Sequence, residues 1–74
     1  MVKLQTKLFE YRRVQNMTQA ELAERIGIRR ETVARLERGQ YNPSLKLAND
    51  IAQVFGVHIE EVFQFVDVPD PDEK

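Results

Sequence analysis

The chain has 74 residues, a formal net charge of −1 and no cysteine. This length corresponds to one small domain with a thin core, and the lack of cysteine excludes disulfides and thiolate metal sites. No apolar run approaches the roughly 18 residues needed to span a bilayer, and the N-terminus lacks the apolar segment of a secretory signal. We therefore expect a cytoplasmic protein that does not bind a membrane.

Three glycines, Gly27, Gly39 and Gly56, each follow a helical pattern and divide the chain. The residue that follows a helix often adopts a left-handed backbone conformation, which costs glycine little. Residues 2–5 alternate apolar and polar side chains, which fits either a short strand or a first helical turn. We expect an all-α fold with five helices: about residues 7–15, a second from Thr18, about 30–38, a fourth from about Ser44, and about 59–63.

The second and third of these helices have signals at their starts. Thr18 and Glu21 match a capping box, and Ile28 and Val33 match a hydrophobic staple. The inward-facing residues of the two helices are Leu22, Ala23, Ile26, Val33 and Leu36. With a turn at Gly27 between them, the pattern predicts a helix-turn-helix unit over about residues 18–38.

Positive charge is concentrated in residues 25–40, which contain five arginines and two glutamates, whereas residues 67–74 contain four acids and one base. Arg29 and Arg30 open the third helix, where backbone N–H groups and the macrodipole already present positive charge. Serine or aspartate would be more stable there. Cations at this place indicate a polyanionic partner. For binding phosphate, a local basic face matters more than the net charge of the whole chain. We therefore expect double-stranded DNA as the partner.

A third helix of about nine residues is roughly 14 Å long, which suits end-on insertion into a major groove about 12 Å wide. Arg30, Glu31 and Arg35 are long polar side chains one turn apart on one face. Arginine can pair with guanine O6 and N7, and glutamate can accept from cytosine N4. We expect these three residues to read bases. A surface ion pair between Glu31 and Arg35 is the alternative role.

Phosphate contacts are expected around this reading helix. Gln19 lies in the first turn of the second helix, where side-chain and backbone donors can reach a phosphate. The other candidate phosphate contacts are Arg29, Thr32, Arg38, Asn42 and Ser44.

Residues 8–63 resemble the lambda-repressor-like, Cro/C1-type (XRE) helix-turn-helix family. The matching motifs are TQAELA at residues 18–23, G-I-x-R-x-T-V at 27–33 and LERGQYNPSL at 36–45. The resemblance implies five helices, of which the second and third read DNA. It also implies that Gln19 and Arg38 contact the DNA backbone, and that Arg30, Glu31 and Arg35 occupy base-reading positions.

The same resemblance implies that Arg12 and Glu37 form a structural ion pair between the first and third helices, outside the reading surface. Arg29 departs from the serine or threonine usual at this helix cap. The departure costs about 1 kcal/mol, which additional phosphate binding would offset.

The carboxyl-terminal extension is similar to that of small one-domain repressors in which terminal strands pair and support a dimer. A short terminal β-strand pair, involving residues 63–68, therefore remains an alternative to a fold made of helices alone. The predicted dimer surface consists of apolar residues in a segment at about 57–68: Val57, Ile59, Val62, Phe65, Val66 and Val68. We expect a DNA-binding domain over residues 1–66 and a disordered acidic tail over 69–74.

Together these features predict a transcriptional regulator that binds an inverted-repeat operator as a homodimer and represses transcription. An enzyme is not expected, because the chain has one histidine, no cysteine and no glycine-rich phosphate loop. We expect no cofactor, no metal and no small-molecule effector. The alternative is a protein-interaction module, such as an antitoxin or a coactivator-type bridge, whose partner binds the apolar carboxyl segment.

Overall fold

A computed structural model describes residues 1–69, so the predicted acidic tail lies, apart from Pro69, outside the described residues. The elements in chain order are β1 (Val2–Thr6), α1 (Leu8–Val14), α2 (Gln19–Ile26), α3 (Arg30–Glu37), α4 (Leu45–Phe55), α5 (Ile59–Val62) and β2 (Phe63–Asp67). The five predicted helices are present. The fold is not purely all-α, because β1 and β2 form a two-stranded antiparallel sheet, which is the terminal strand pair left open beside the all-α prediction.

The sheet joins the two ends of the described chain. Leu4 lies opposite Phe65, and Thr6 lies opposite Phe63. Directly opposed residues share a face of an antiparallel pair, so Leu4, Phe63 and Phe65 all face one side. Leu4 and Phe63 are buried against the helices, whereas Phe65 is 66% exposed. The buried part of this face therefore fixes the sheet on the helical core, and Phe65 is left exposed.

The core consists of side chains from all five helices, supplemented by Leu4 and Phe63 of the sheet and by Met17 of the loop before α2. The fully buried large side chains are Leu8, Leu22, Val33, Leu36, Ile51 and Val62. The predicted core residue Ile26 is half-buried and packs at the edge of this cluster. Burial of each large apolar side chain contributes about 1.5–3 kcal/mol, so these residues fix the relative positions of the helices.

Side-chain caps define where α2 and α4 begin. The Thr18 hydroxyl accepts a hydrogen bond from the Glu21 N–H at 3.0 Å, and the Ser44 hydroxyl accepts from the Leu47 N–H at 3.1 Å. The predicted capping box is only half formed, since the Glu21 carboxylate accepts from the Thr18 hydroxyl instead of the Thr18 N–H. Each cap satisfies a backbone donor that the helix itself leaves without a partner.

Gly39 follows α3 in a conformation that favours glycine. Its φ is +70°, and a Cβ built there would lie 3.0 Å from the carbonyl oxygen of Leu4 on β1. The N–H of Gly39 donates to the Leu36 oxygen at 3.1 Å, and the N–H of Gln40 donates to the Arg35 oxygen at 2.9 Å. These two bonds are those of a Schellman motif, which turns the chain back beside the last turns of α3.

Candidate nucleic-acid interface

A tight connection of three residues, 27–29, joins α2 to α3. Gly27 has a φ of +76°, and the N–H groups of Gly27 and Ile28 both donate to the Ala23 oxygen, at 2.9 and 3.0 Å. Leu22 of α2 and Val33 of α3 are fully buried. The two helices are therefore held together by their apolar faces, which leaves the polar face of α3 accessible.

The amino-terminal end of α3 is positively charged and has no side-chain cap. Arg29 occupies the cap position in an extended conformation and makes no capping hydrogen bond. Arg29, Arg30 and Glu31 are all exposed. Because the first backbone N–H groups of a helix have no intrahelical acceptor, exposed donors and two guanidinium groups occur together at this end. Such an arrangement suits an anionic ligand.

The three predicted base-reading residues, Arg30, Glu31 and Arg35, are exposed side chains of α3. The alternative ion pair between Glu31 and Arg35 does not form within residues 1–69. The Arg35 guanidinium instead lies over the ring of Tyr41, with its Cζ 5.7 Å from the ring centroid. All three side chains therefore remain accessible to a ligand on this face.

The predicted phosphate contacts are distributed around α3. Arg29, Arg38 and Asn42 are exposed, whereas Thr32 is half-buried. The Nε of Arg38 donates to the Gln40 side-chain oxygen at 3.1 Å. Ser44, the remaining candidate of this group, is the cap of α4, and its hydroxyl hydrogen stays available for a second bond.

Gln19 is joined to an ion pair beneath the interface. Arg12 Nε lies 2.6 Å from Glu37 Oε2, and Arg12 Nη2 lies 3.1 Å from Glu37 Oε1. The same Glu37 Oε1 accepts from Gln19 Nε2 at 3.0 Å, while Arg12 Nη1 donates to the Met17 carbonyl at 2.8 Å. The network connects α1, the loop before α2, the first residue of α2 and the last residue of α3.

The Arg12 side chain is largely removed from water, since the residue is 8% exposed. Its hydrogen bond with Glu37 raises the pKa of Arg12 above its ordinary value, with a further contribution from the Glu37 charge, and burial opposes the rise. The guanidinium consequently stays charged, and the network holds the side-chain amide of Gln19 against Glu37.

Two residues that the sequence did not single out lie beside Gln19. An open cleft of about 520 Å³ runs along the start of α2, and Arg13, Asn16 and Arg30 are among the residues that line it. Arg13 and Asn16 are exposed, and Asn16 has a φ of +53°. Arg13 directly follows Arg12 in the sequence. The helical pattern alone does not show which of these two arginines is buried and which is exposed.

Comparison with known proteins identifies the family. A family model described as a helix-turn-helix matches residues 8–62. An uncharacterised HTH-type transcriptional regulator of Archaeoglobus fulgidus is 56% identical over 62 residues, which are 84% of this chain and 87% of that protein. A regulator of the same description from Methanocaldococcus jannaschii is 47% identical over 64 residues, which are 86% of this chain and 97% of that protein.

The chain belongs to the Cro/C1-type helix-turn-helix family of transcriptional regulators. It is a regulator and not an enzyme, and the helix-turn-helix domain implies DNA binding. Among solved structures, the crystal structure of Apo-HppE matches 70% of this regulator with a TM-score of 0.65 and 36% identity. The match covers 29% of that chain, so the likeness concerns this domain alone.

The residues of the predicted dimer surface differ in their exposure. Phe65 is exposed, whereas Val62 is 1% exposed and forms part of the core of its own chain, which removes it from the candidate surface. Val66 is half-buried on the face of β2 opposite to Phe65, because side chains alternate along a strand. The other predicted members, Val57, Ile59 and Val68, are half-buried.

An apolar groove of about 360 Å³ lies between the sheet and the start of α4 in this regulator. Leu45, which is not among the predicted dimer residues, borders the groove and is 78% exposed. The apolar residues along the groove include Leu4, Pro43, Leu45, Ile59, Phe63 and Phe65.

Within residues 1–69 the regulator has no group of three or more His, Cys, Asp or Glu residues that could hold a metal ion. No helix in the same part of the chain is both long and apolar enough to cross a membrane.

Proposed function

We propose that this regulator binds duplex DNA in a sequence-specific manner by placing the amino-terminal end of α3 in the major groove. The observation that supports this most directly is the uncapped start of α3, where Arg29 and Arg30 are exposed together. Neither arginine improves the stability of the helix at that end. Their presence is explained when the helix end meets the charge and the base edges of DNA.

In this proposal Arg30, Glu31 and Arg35 read base edges, and Gln19, Arg29 and Arg38 contact phosphates. The cleft beside Gln19 supports Arg13 and Asn16 as further phosphate contacts. Thr32, Asn42 and Ser44 complete the proposed set at the two ends of the reading surface. Since each neutralised phosphate releases counterions, binding by this set is strongly salt-dependent.

We further infer that the regulator acts as a homodimer. One domain of this size contacts few base pairs, and a two-fold dimer places two reading helices about one turn of DNA, roughly 34 Å, apart. The exposed side chains of Leu45 and Phe65 beside the apolar groove support this assembly. In a two-fold interface the same patch occurs on both subunits, so a second copy offers an equally apolar surface to this groove.

Repression is the regulatory outcome that fits this architecture. A dimer that covers an operator blocks access to that stretch of DNA by occupancy, and occupancy needs only the reading surface and the dimer contact. The inverted repeat follows from the two-fold axis of the dimer.

In-vitro selection of binding sites from random duplexes, repeated at two salt concentrations, tests the DNA proposal. We expect a pair of inverted half-sites, with affinity for the selected duplex falling steeply as salt rises. Recovery of unrelated sequences, or equal affinity for every duplex, would contradict sequence-specific reading.

A matched pair of arginine variants tests the role of α3. Arg30→Ala is expected to lower affinity for the selected duplex by about tenfold and to relax selection at one base position. Arg25→Ala removes the same charge from the last turn of α2 and should leave selection unchanged. A loss in the Arg30 variant that is equal for selected and scrambled duplexes would argue against base reading by this residue.

A further inference from the structure

The exposed aromatic ring of Tyr41 lies against a guanidinium of the proposed reading surface. The Cζ of Arg35 is 5.7 Å from the centroid of the Tyr41 ring, within the range of a cation–π contact. Tyr41 belongs to the connection between α3 and α4 and is 39% exposed. Its contact with Arg35 therefore lies at the surface, where a ligand of α3 can meet both groups.

The turn at the end of α3 places this ring. Gly39 adopts a left-handed conformation, and the Gln40 N–H donates to the carbonyl of Arg35 itself at 2.9 Å. The backbone of β1 packs against the same turn, since a Cβ built on Gly39 would lie only 3.0 Å from the Leu4 oxygen. Tyr41, two residues after the glycine, consequently comes beside the side chain of Arg35.

The ring restrains Arg35 without using its hydrogen-bond donors. Within residues 1–69 the ion pairs are Arg12–Glu37 and Lys46–Asp50, so a carboxylate does not hold Arg35. A carboxylate would occupy the N–H groups that a guanine needs, whereas the face of an aromatic ring attracts the cation through its quadrupole. Restricting an arginine before binding also reduces the entropy lost when it docks.

We propose that Tyr41 is a positioning residue that orients Arg35 for base reading and so contributes to sequence specificity. The proposal rests on the proposed function, in which α3 enters the major groove. It assigns to Tyr41 an effect on the base that Arg35 reads and no direct contact with that base.

The test uses the duplex selected by the wild-type protein, its single-base variants and a scrambled duplex. Tyr41→Leu removes the ring and is expected to weaken binding of the selected duplex by about two- to fivefold, with scrambled-duplex binding unchanged. Tyr41→Phe keeps the ring and should stay within about twofold of wild type. If Tyr41→Phe loses as much as Tyr41→Leu, the hydroxyl is the active group and the proposal is overturned.

A double-mutant cycle separates positioning from independent binding. In an Arg35→Ala background, Tyr41→Leu should cause no further loss of affinity, because the ring then has no guanidinium to orient. The same loss in both backgrounds would overturn the proposal. Should Tyr41→Leu fail to fold, Tyr41→Gln provides a second ring-free variant at this partly exposed position.

NMR of the free protein tests the contact without DNA. The Arg35 side-chain Nε–Hε signal should shift in Tyr41→Leu and change little in Tyr41→Phe, and an unchanged signal in Tyr41→Leu would overturn the proposal. A wild-type protein that selects no sequence would refute the proposed function and this role together. A selecting wild type whose Tyr41→Leu variant discriminates equally well would refute the role of Tyr41 alone.

Discussion

Arg12 of α1 and Glu37 of α3 form an ion pair with two contacts, Nε to Oε2 at 2.6 Å and Nη2 to Oε1 at 3.1 Å. Their side chains are only 10% and 7% exposed. Burial of both charges is tolerated because each is matched by the other and by hydrogen bonds from Gln19 and to Met17. The pair fixes the carboxyl-terminal end of α3 to α1.

Glu37→Gln is expected to destabilise the protein by about 3 kcal/mol, because it leaves the Arg12 charge buried without its counter-charge. For a domain of this size the loss corresponds to a Tm lower by about 12–24 °C. Thermal and urea unfolding followed by circular dichroism measure the change.

The exposed pair Lys46–Asp50 is the control for this prediction, since the Lys46 side chain is 85% exposed. Asp50→Asn should change stability by less than about 0.5 kcal/mol. Replacing both Arg12 and Glu37 by methionine should recover much of the loss, since an apolar pair leaves no buried charge. A Glu37→Gln variant as stable as Asp50→Asn would contradict this account.

Arg29→Ser is expected to increase stability and weaken DNA binding at the same time. Serine at the cap of α3 supplies the missing hydrogen bond, worth about 1 kcal/mol, or about 4–8 °C in Tm. Loss of one phosphate contact should reduce the slope of log affinity against log salt by about 0.9. Arg25→Gln, which removes the same charge from α2, is the control. An unchanged salt slope in Arg29→Ser would exclude Arg29 as a phosphate contact.

Gly39→Ala should be more destabilising than Gly56→Ala. Both glycines have a positive φ, so alanine at either position costs about 1–2 kcal/mol. A Cβ at Gly56 meets no atom within 4 Å, whereas a Cβ at Gly39 meets the Leu4 oxygen at 3.0 Å. We expect Gly39→Ala to lose about 1 kcal/mol or more of stability beyond the loss in Gly56→Ala. Urea unfolding measures both losses. Equal losses would show that β1 can move away from the turn without cost.

Phe65→Glu is expected to abolish the proposed homodimer, because it places a charge beside the apolar groove. Analytical ultracentrifugation should show a wild-type dimer and a variant monomer, and the variant should lose operator affinity more than non-specific affinity. Gln64→Glu, on the opposite face of β2, is the control and should leave the dimer intact. A wild-type protein that sediments as a monomer at micromolar concentration would contradict the assembly itself.

The helices of this protein were predictable because their signals are local. Apolar spacing of three and four residues, the hydroxyl caps at Thr18 and Ser44, and the glycines that follow α2 and α4 all act within one or two turns of the chain. The concentration of arginines at the start of α3 is equally local, and the sequence motifs around it were enough to indicate the family.

The sequence by itself thus determined the helices, the arginine-rich start of α3 and the family. Tertiary structure decided what depends on residues far apart in the chain: the pairing of Leu4 with Phe65, the burial of Val62 and the approach of the Leu4 oxygen to Gly39. The physical reason is that an alternating strand pattern states which side chains share a face, while the packing of distant elements determines which face is covered.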